Sequence, residues 1–214
     1  SGSSGVANGI GAAASFKEPT GVAVRGSTLY VMDSTDHSIR EINLNTPPTV
    51  PAVSTLAGSG SPGFADDVGT AAVFNSPHSV AITGDGARVY VADTLNHRIR
   101  EIVTSTGAVS TLAGSGSPGF ADDVGTAAVL NFPYGVAVTG DGATVYVADT
   151  LNHRIRKIDT STKQVSTFAG SGSPGFLNGR RGYARFNFPY GVAVTGDGAT
   201  VYVADTLSLR GAGV

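Results

Sequence analysis

Apolar and polar positions alternate in short bursts along this chain, and the bursts come in sets of four. In the best-formed set, Val80 to Thr83 is small and β-branched and ends at Gly84-Asp85-Gly86, whose glycines permit the positive φ of a hairpin. Val89 to Ala92 follows, with Val89 and Val91 on one face and Tyr90 and Ala92 on the other, so this strand is predicted to be covered on both sides. Arg98 to Ile102 is more polar, and after Thr104-Ser105-Thr106-Gly107 comes Val109 to Ala113. The pattern predicts an antiparallel meander of strands a to d, with a glycine-rich segment, Gly114 to Pro133, leading to the next set. No 3.6-residue apolar period marks a helical repeat.

The sets are copies. Ala92 to Arg100 returns letter for letter at Ala148 to Arg156, altered at Met32 to Arg40 and cut short at Ala204 to Arg210. Aligning Asp33, Asp93, Asp149 and Asp205 gives spacings of 60, 56 and 56 residues, the range of propellers and solenoids. The units run over about 1–56, 57–112, 113–168 and 169–214, the last incomplete, and form one domain. Ser1 to Gly5 has the composition of an expression tag. Sliding Ser1–Val24 by 58 positions nevertheless pairs Ser1-Gly2-Ser3 with Ser59-Gly60-Ser61 and Pro19 with Pro77, so these residues read as the start of unit one. Strands apolar on both faces, with the smallest side chains in strand a (Gly135-Val136-Ala137-Val138), describe blades converging on an axis. The expectation is an all-β fold, a β-propeller of four-stranded antiparallel blades, about three and a half to four of them.

The unit Gly135 to Gly170, with GlyVal-AlaVal, then ValTyrValAlaAsp, then AsnHisArgIleArg, then ValSerThrPheAlaGly, resembles the NHL repeat. It departs in carrying Arg98 and Arg154 after Asn-His, Asp36-His37-Ser38 in unit one and Leu207-Ser208-Leu209 in unit four. The resemblance implies a binding platform for proteins, RNA or small ligands, or, in a few relatives, a lyase or hydrolase.

Composition narrows the partners. A formal net charge of −2 over 214 residues gives no global positive field for nucleic acid or an anionic membrane. The absence of cysteine removes disulfides, thiolate catalysis and sulfur-ligated zinc, and leaves the compartment undetermined. No 18-residue apolar run is present.

Most candidate chemistry repeats with the units. Asp93, Asn96, His97 and Arg98 recur as Asp149, Asn152, His153 and Arg154. They read as blade-building devices, with Asp closing the b–c turn through its own backbone and Arg pairing between blades. His97 and His153 lie one blade apart, too far for a shared zinc without a third ligand. Gly58 to Gly63 and Gly114 to Gly119 lack the ending of a phosphate loop, and Asp66-Asp67 and Asp122-Asp123 lack the calcium-loop pattern and read as solvated. No metal or cofactor is expected.

Function in a repeat protein is sought where the repeats disagree. Units two and three differ at 11 of 56 positions, and four of these cluster before strand a, where Phe74-Asn75-Ser76-Pro77-His78-Ser79 becomes Leu130-Asn131-Phe132-Pro133-Tyr134-Gly135. Thr20, His78, Tyr134 and Tyr190 are predicted to form an arc around the channel mouth, as ligand contacts or as plain rim cover, with His78 the candidate polar contact. A second exception, Leu177 to Arg185, places Arg180, Arg181 and Arg185 around Tyr183 where earlier units carry acids. Such a patch holds an anion, an acidic partner or, as the lesser reading, single-stranded RNA; the alternative is a solvated loop. Strand c of unit four is doubtful and strand d is missing, so two chains are expected to associate, a dimer completing the ring; a longer array or an engineered chain are the alternatives. The favoured function is a non-enzymatic binding or scaffold module offering a propeller face and channel to a protein or small ligand, because no nucleophile, base and orienter occur together. The alternative is a propeller-type lyase or hydrolase with a metal or base at the channel.

Overall fold

Each set of four strands folds as a blade in the computed structural model, which describes residues 4–45 and 51–207. In blade one, β1 (Gly9–Ile10) is followed by β2 (Pro19–Arg25), β3 (Thr28–Asp33), β4 (Ser38–Asn43) and β5 (Ala52–Ala57), in the sheet order β1-β5-β4-β3-β2. Blade two is the meander β6 (Pro77–Ile82), β7 (Arg88–Asp93), β8 (Arg98–Val103) and β9 (Ala108–Ala113). Blade three repeats it as β10 (Pro133–Val138), β11 (Thr144–Asp149), β12 (Arg154–Asp159) and β13 (Val165–Ala169). Blade four shows β14 (Pro189–Val194) paired with β15 (Val201–Asp205); the expected loss of its strands c and d falls on residues outside those described. The pairings are antiparallel, as the hairpin glycines predict.

Blades stack because both faces of each strand b are apolar. Val80, Val89 and Val91 of blade two pack against Ala23, Tyr30 and Met32 of blade one, while Ala81, Tyr90 and Ala92 on the opposite face meet Val136, Val145 and Val147 of blade three. Burying each larger side chain contributes about 1.5–3 kcal/mol, so the core is a series of interfaces rather than one centre. The inner strands leave little room. A Cβ on Gly84 would lie 2.2 Å from the Gly140 carbonyl oxygen of the next blade, which is why the hairpin there begins with glycine.

The glycine-rich connections, expected as plain loops, do more. The first three run along the outer strand of the blade each is about to enter: Ile10 pairs with Ala52, Val68 bridges to Ala108 and Val124 to Gln164. Glycines at positive φ let the chain turn there, and Gly69 and Gly125 donate to the carbonyls of Gly107 and Lys163. The connection thus covers the hydrogen-bonding edge of strand d, which protects it from pairing with foreign strands. Among the described residues no helix is long and apolar enough to cross a membrane.

Candidate binding site at the mouth of the inner strands

Thr20, His78, Tyr134 and Tyr190 each occupy the second position of an inner strand, and at each the pairing register slips by one residue. Pro77 pairs with Asp93 and Ser79 with Ala92, leaving His78 as a bulge; a bulge re-aims a side chain out of the alternation of its strand. The four residues come together as the arc expected. The His78 and Tyr134 rings meet edge-on with centroids 4.6 Å apart, Tyr134 and Tyr190 lie 4.5 Å apart, and the Thr20 hydroxyl donates to the His78 carbonyl at 3.1 Å. They line a shallow cavity of about 300 Å³ with Gly21, Gly135 and Val192. Two of the arc's blades have no room for a side chain beneath it: a Cβ on Gly135 would lie 2.5 Å from the Tyr190 carbonyl oxygen, and one on Gly21 2.7 Å from that of His78, whereas blade two carries Ser79 at this position.

The histidine ring is held by its own strand approach. Its Nδ1 lies 2.8 Å from the Ser76 carbonyl, which only accepts, so Nδ1 carries a proton and donates there. Burial, and then the neighbouring Tyr190, push the Tyr134 pKa up, so this phenol stays neutral and donates. The mouth therefore offers aromatic surface, phenol hydroxyls and one imidazole nitrogen. Among the described residues no three His, Cys, Asp or Glu side chains gather to hold a metal ion.

The repeated polar residues hold this arc in place, by contacts the sequence did not specify. Asp93 spans its own turn through the Asn96 side chain and not through the turn's backbone: its Oδ1 accepts the Asn75 amide at 2.8 Å, three residues before His78, and its Oδ2 accepts Asn96 Nδ2 at 2.9 Å and the Arg100 guanidinium at 2.8 Å. Burial pushes the Asp93 carboxyl up; the amide, Asn96 and Arg100 oppose it. The fully buried arginine is Arg100, repeated as Arg40 and Arg156. Arg98, expected to pair between blades, instead lies 3.9 Å over the Phe64 ring and donates to the Ser115 carbonyl. Asp66, expected to be solvated, pairs with Arg100 at 2.6 Å and accepts the Thr111 amide; Asp122 does the same for Arg156.

The histidines of the b–c corners join the blades. His37, His97 and His153 sit at positive φ, and each Nδ1 accepts a backbone N–H from the next blade: Ser76 at 2.9 Å, Phe132 at 3.2 Å and Phe188 at 3.3 Å. The donor residues lie two positions before the arc. Thr94 and Thr150 add hydroxyl bonds of 2.7 Å to the carbonyls of Pro133 and Pro189. Burial is the first cause that lowers the pKa of all three histidines.

The arginines of the stretch in unit four are exposed and make different contacts. Arg181 stacks on Phe168 of blade three at 4.2 Å, whereas Arg185 lines a cavity of about 430 Å³ with Asn178 and Asp205. Tyr183 is exposed, and Arg180 closes the turn through its carbonyl.

The model of the NHL repeat matches residues 74–102 and 130–158, the approach and strands a to c of blades two and three. The chain belongs to the NHL-repeat β-propeller family. It is 29% identical to the chloroplastic protein SUPPRESSOR OF QUENCHING 1 of Arabidopsis thaliana over 96% of this chain and 26% of that protein. It is 32% identical to human NHL repeat-containing protein 2 over 72% of this chain and 22% of that one. Among solved structures, an auxiliary nutrient binding protein from Bacteroides thetaiotaomicron superimposes with a TM-score of 0.67 at 20% identity, covering 88% of this chain and 46% of that one. The NHL chain thus spans about a quarter of these curated relatives and just under half of the solved one.

Proposed function

We propose that this NHL array is a non-enzymatic binding module and that the arc of Thr20, His78, Tyr134 and Tyr190 is its ligand contact. The observation that carries the reading is the stack of rings on the bulged positions, with centroid spacings of 4.6 and 4.5 Å, where the otherwise near-identical repeats diverge. Rigid aromatic faces give contact area at small entropic cost, and the His78 Nε2 and phenol hydroxyls give direction. A protein loop or a small ligand with a flat apolar surface and a hydrogen-bond donor suits this combination. The mouth holds no nucleophile with an orienting base, which is why binding is favoured over lyase or hydrolase chemistry.

A displayed random-peptide library selected on the wild-type chain supplies the probe. The selected peptides should lose at least about tenfold in affinity on Tyr134→Ala or Tyr190→Ala, which remove a stacking partner worth about 0.5–1.5 kcal/mol beyond its buried area. Peptides that bind both variants as they bind the wild type place the ligand elsewhere. Metal analysis of the purified chain addresses the enzymatic alternative: one tightly held equivalent per chain would count for it.

A further inference from the structure

Blades two and three disagree at a second place, on the face opposite the arc. There Arg88 stands against Thr144, Glu101 against Lys157, and Gly107 against Lys163. Three of these residues, Arg88 and Glu101 of blade two and Lys163 of blade three, converge on one cavity of about 440 Å³ at the junction of the two blades, with Asp85, Asp141 and Tyr90 also in its wall. The volume is in the range of small-ligand pockets.

The charges are arranged rather than mutually cancelled. Arg88 pairs with Glu101, and its charge also acts on the Asp85 carboxylate beside it. Asp85 uses Oδ1 for its own turn, accepting Thr83 Oγ1 at 2.5 Å and the Ala87 amide at 2.9 Å, and no hydrogen bond among the described residues reaches its Oδ2. Asp141 does the same with Thr139 Oγ1 at 2.6 Å and the Ala143 amide at 3.0 Å. The hydrogen bonds to these carboxylates, that from the threonine hydroxyl first, hold both below the ordinary range, so both remain anionic. Two fixed carboxylates thus face the cavity from the two hairpins. Opposite charge comes from Lys163, whose backbone has φ 60°; blade two meets the same geometry with Gly107 at φ 71°. Lysine is thus held in the left-handed region at the position where blade two has glycine, a conformation that costs an L side chain.

We propose that this junction binds a small zwitterion, an amino acid or short peptide, with its ammonium on the Asp85 and Asp141 carboxylates and its carboxylate on Lys163. Three such groups divided between two blades and separated by charge match a ligand that carries both signs, and match neither a metal ion nor a neutral polyol. The site is independent of the aromatic arc, which lies at the other end of the inner strands.

Glycylglycine is the probe, followed by 15N–1H NMR, with N-acetylglycine and glycinamide as single-charge controls and glucose as the neutral one. Glycylglycine is expected to shift the amides of residues 85–87 and 161–163 saturably below about 10 mM, with each control at least about tenfold weaker. Lys163→Gly adopts the residue that blade two already uses, so it should fold and melt as the wild type does and lose at least about tenfold in affinity. Asp141→Asn keeps the Oδ1 acceptor of the turn and should lose the ligand as well. Glucose or a single-charge control binding as well as glycylglycine, an unchanged affinity in Lys163→Gly, or no saturable shift would each overturn the proposal.

Discussion

Replacing Arg100 with methionine removes a charge from the middle of blade two while keeping the unbranched stem between Phe64 and Phe74, over whose rings the guanidinium carbon sits at 4.8 Å. Little cavity is created, so the cost is electrostatic. The guanidinium bonds Asp93 at 2.8 Å, Asp66 at 2.6 Å and the carbonyls of Ala65 and Val73 at 2.7 and 3.1 Å. Asp66 is 40% exposed and recovers hydration, but Asp93 is fully buried and is left with one donor fewer. Stranding one member of a buried pair costs about 3–5 kcal/mol, and that is the loss expected for Arg100→Met. Arg40 provides the internal control. It approaches Asp33 only to 3.5 Å, its bonds go to the neutral Asn8 side chain and the carbonyls of Ala7 and Ser15, and its Nε has no partner. Arg40→Met should therefore cost about 1–3 kcal/mol, the price of unsatisfied buried acceptors. Urea denaturation followed by circular dichroism measures both. Amide exchange at β7, β8 and Asn75 localises the effect, because an array can open blade by blade. A loss below about 1 kcal/mol for Arg100→Met, or equal losses in the two variants, would refute the claim that the Asp93–Arg100 contact anchors blade two.

Two further outcomes follow from the blade junctions. Gly84→Ala and Gly140→Ala place a Cβ 2.2 and 2.7 Å from the carbonyl of the next hairpin and should each cost about 1–3 kcal/mol, whereas Gly196→Ala meets nothing within 4 Å and should be neutral or slightly stabilising in thermal melts. The corner histidines have lowered pKa values, so the unfolded chain, titrating at about 6.5, binds protons that the folded one refuses. Their contribution is complete above about pH 6.5 and declines as the pH falls below it; a Tm that rises on acidification from pH 7 to 5.5 contradicts this assignment.

How much was legible follows from where each residue acts. Short range interactions announce themselves: Gly84-Asp85-Gly86 dictates a hairpin, and the alternation in Val89 to Ala92 dictates a strand covered on both faces. Four divergent positions before strand a pointed to the arc because identical neighbours made the exceptions visible. The divergences at Arg88, Glu101 and Lys163 were equally visible but scattered over strands b and c and the c–d turn; only the hairpin ends, brought together at the blade junction, make them one site. The roles of Arg98 and Arg100 were exchanged for a similar reason. Both follow His97 in a polar strand, and which one is buried depends on the aspartate that the preceding connection delivers 34 residues earlier.

By itself, then, the sequence determined the repeat, its four strands, its turns and the family, because these rest on local periodicity and on backbone freedom at glycine. The tertiary structure decided what covers each strand edge, which carboxylate meets Arg100, and which divergent side chains share a cavity. Those contacts join residues some thirty to sixty positions apart, and no local pattern specifies a partner at that distance; it is the stacking of one blade on the next that does.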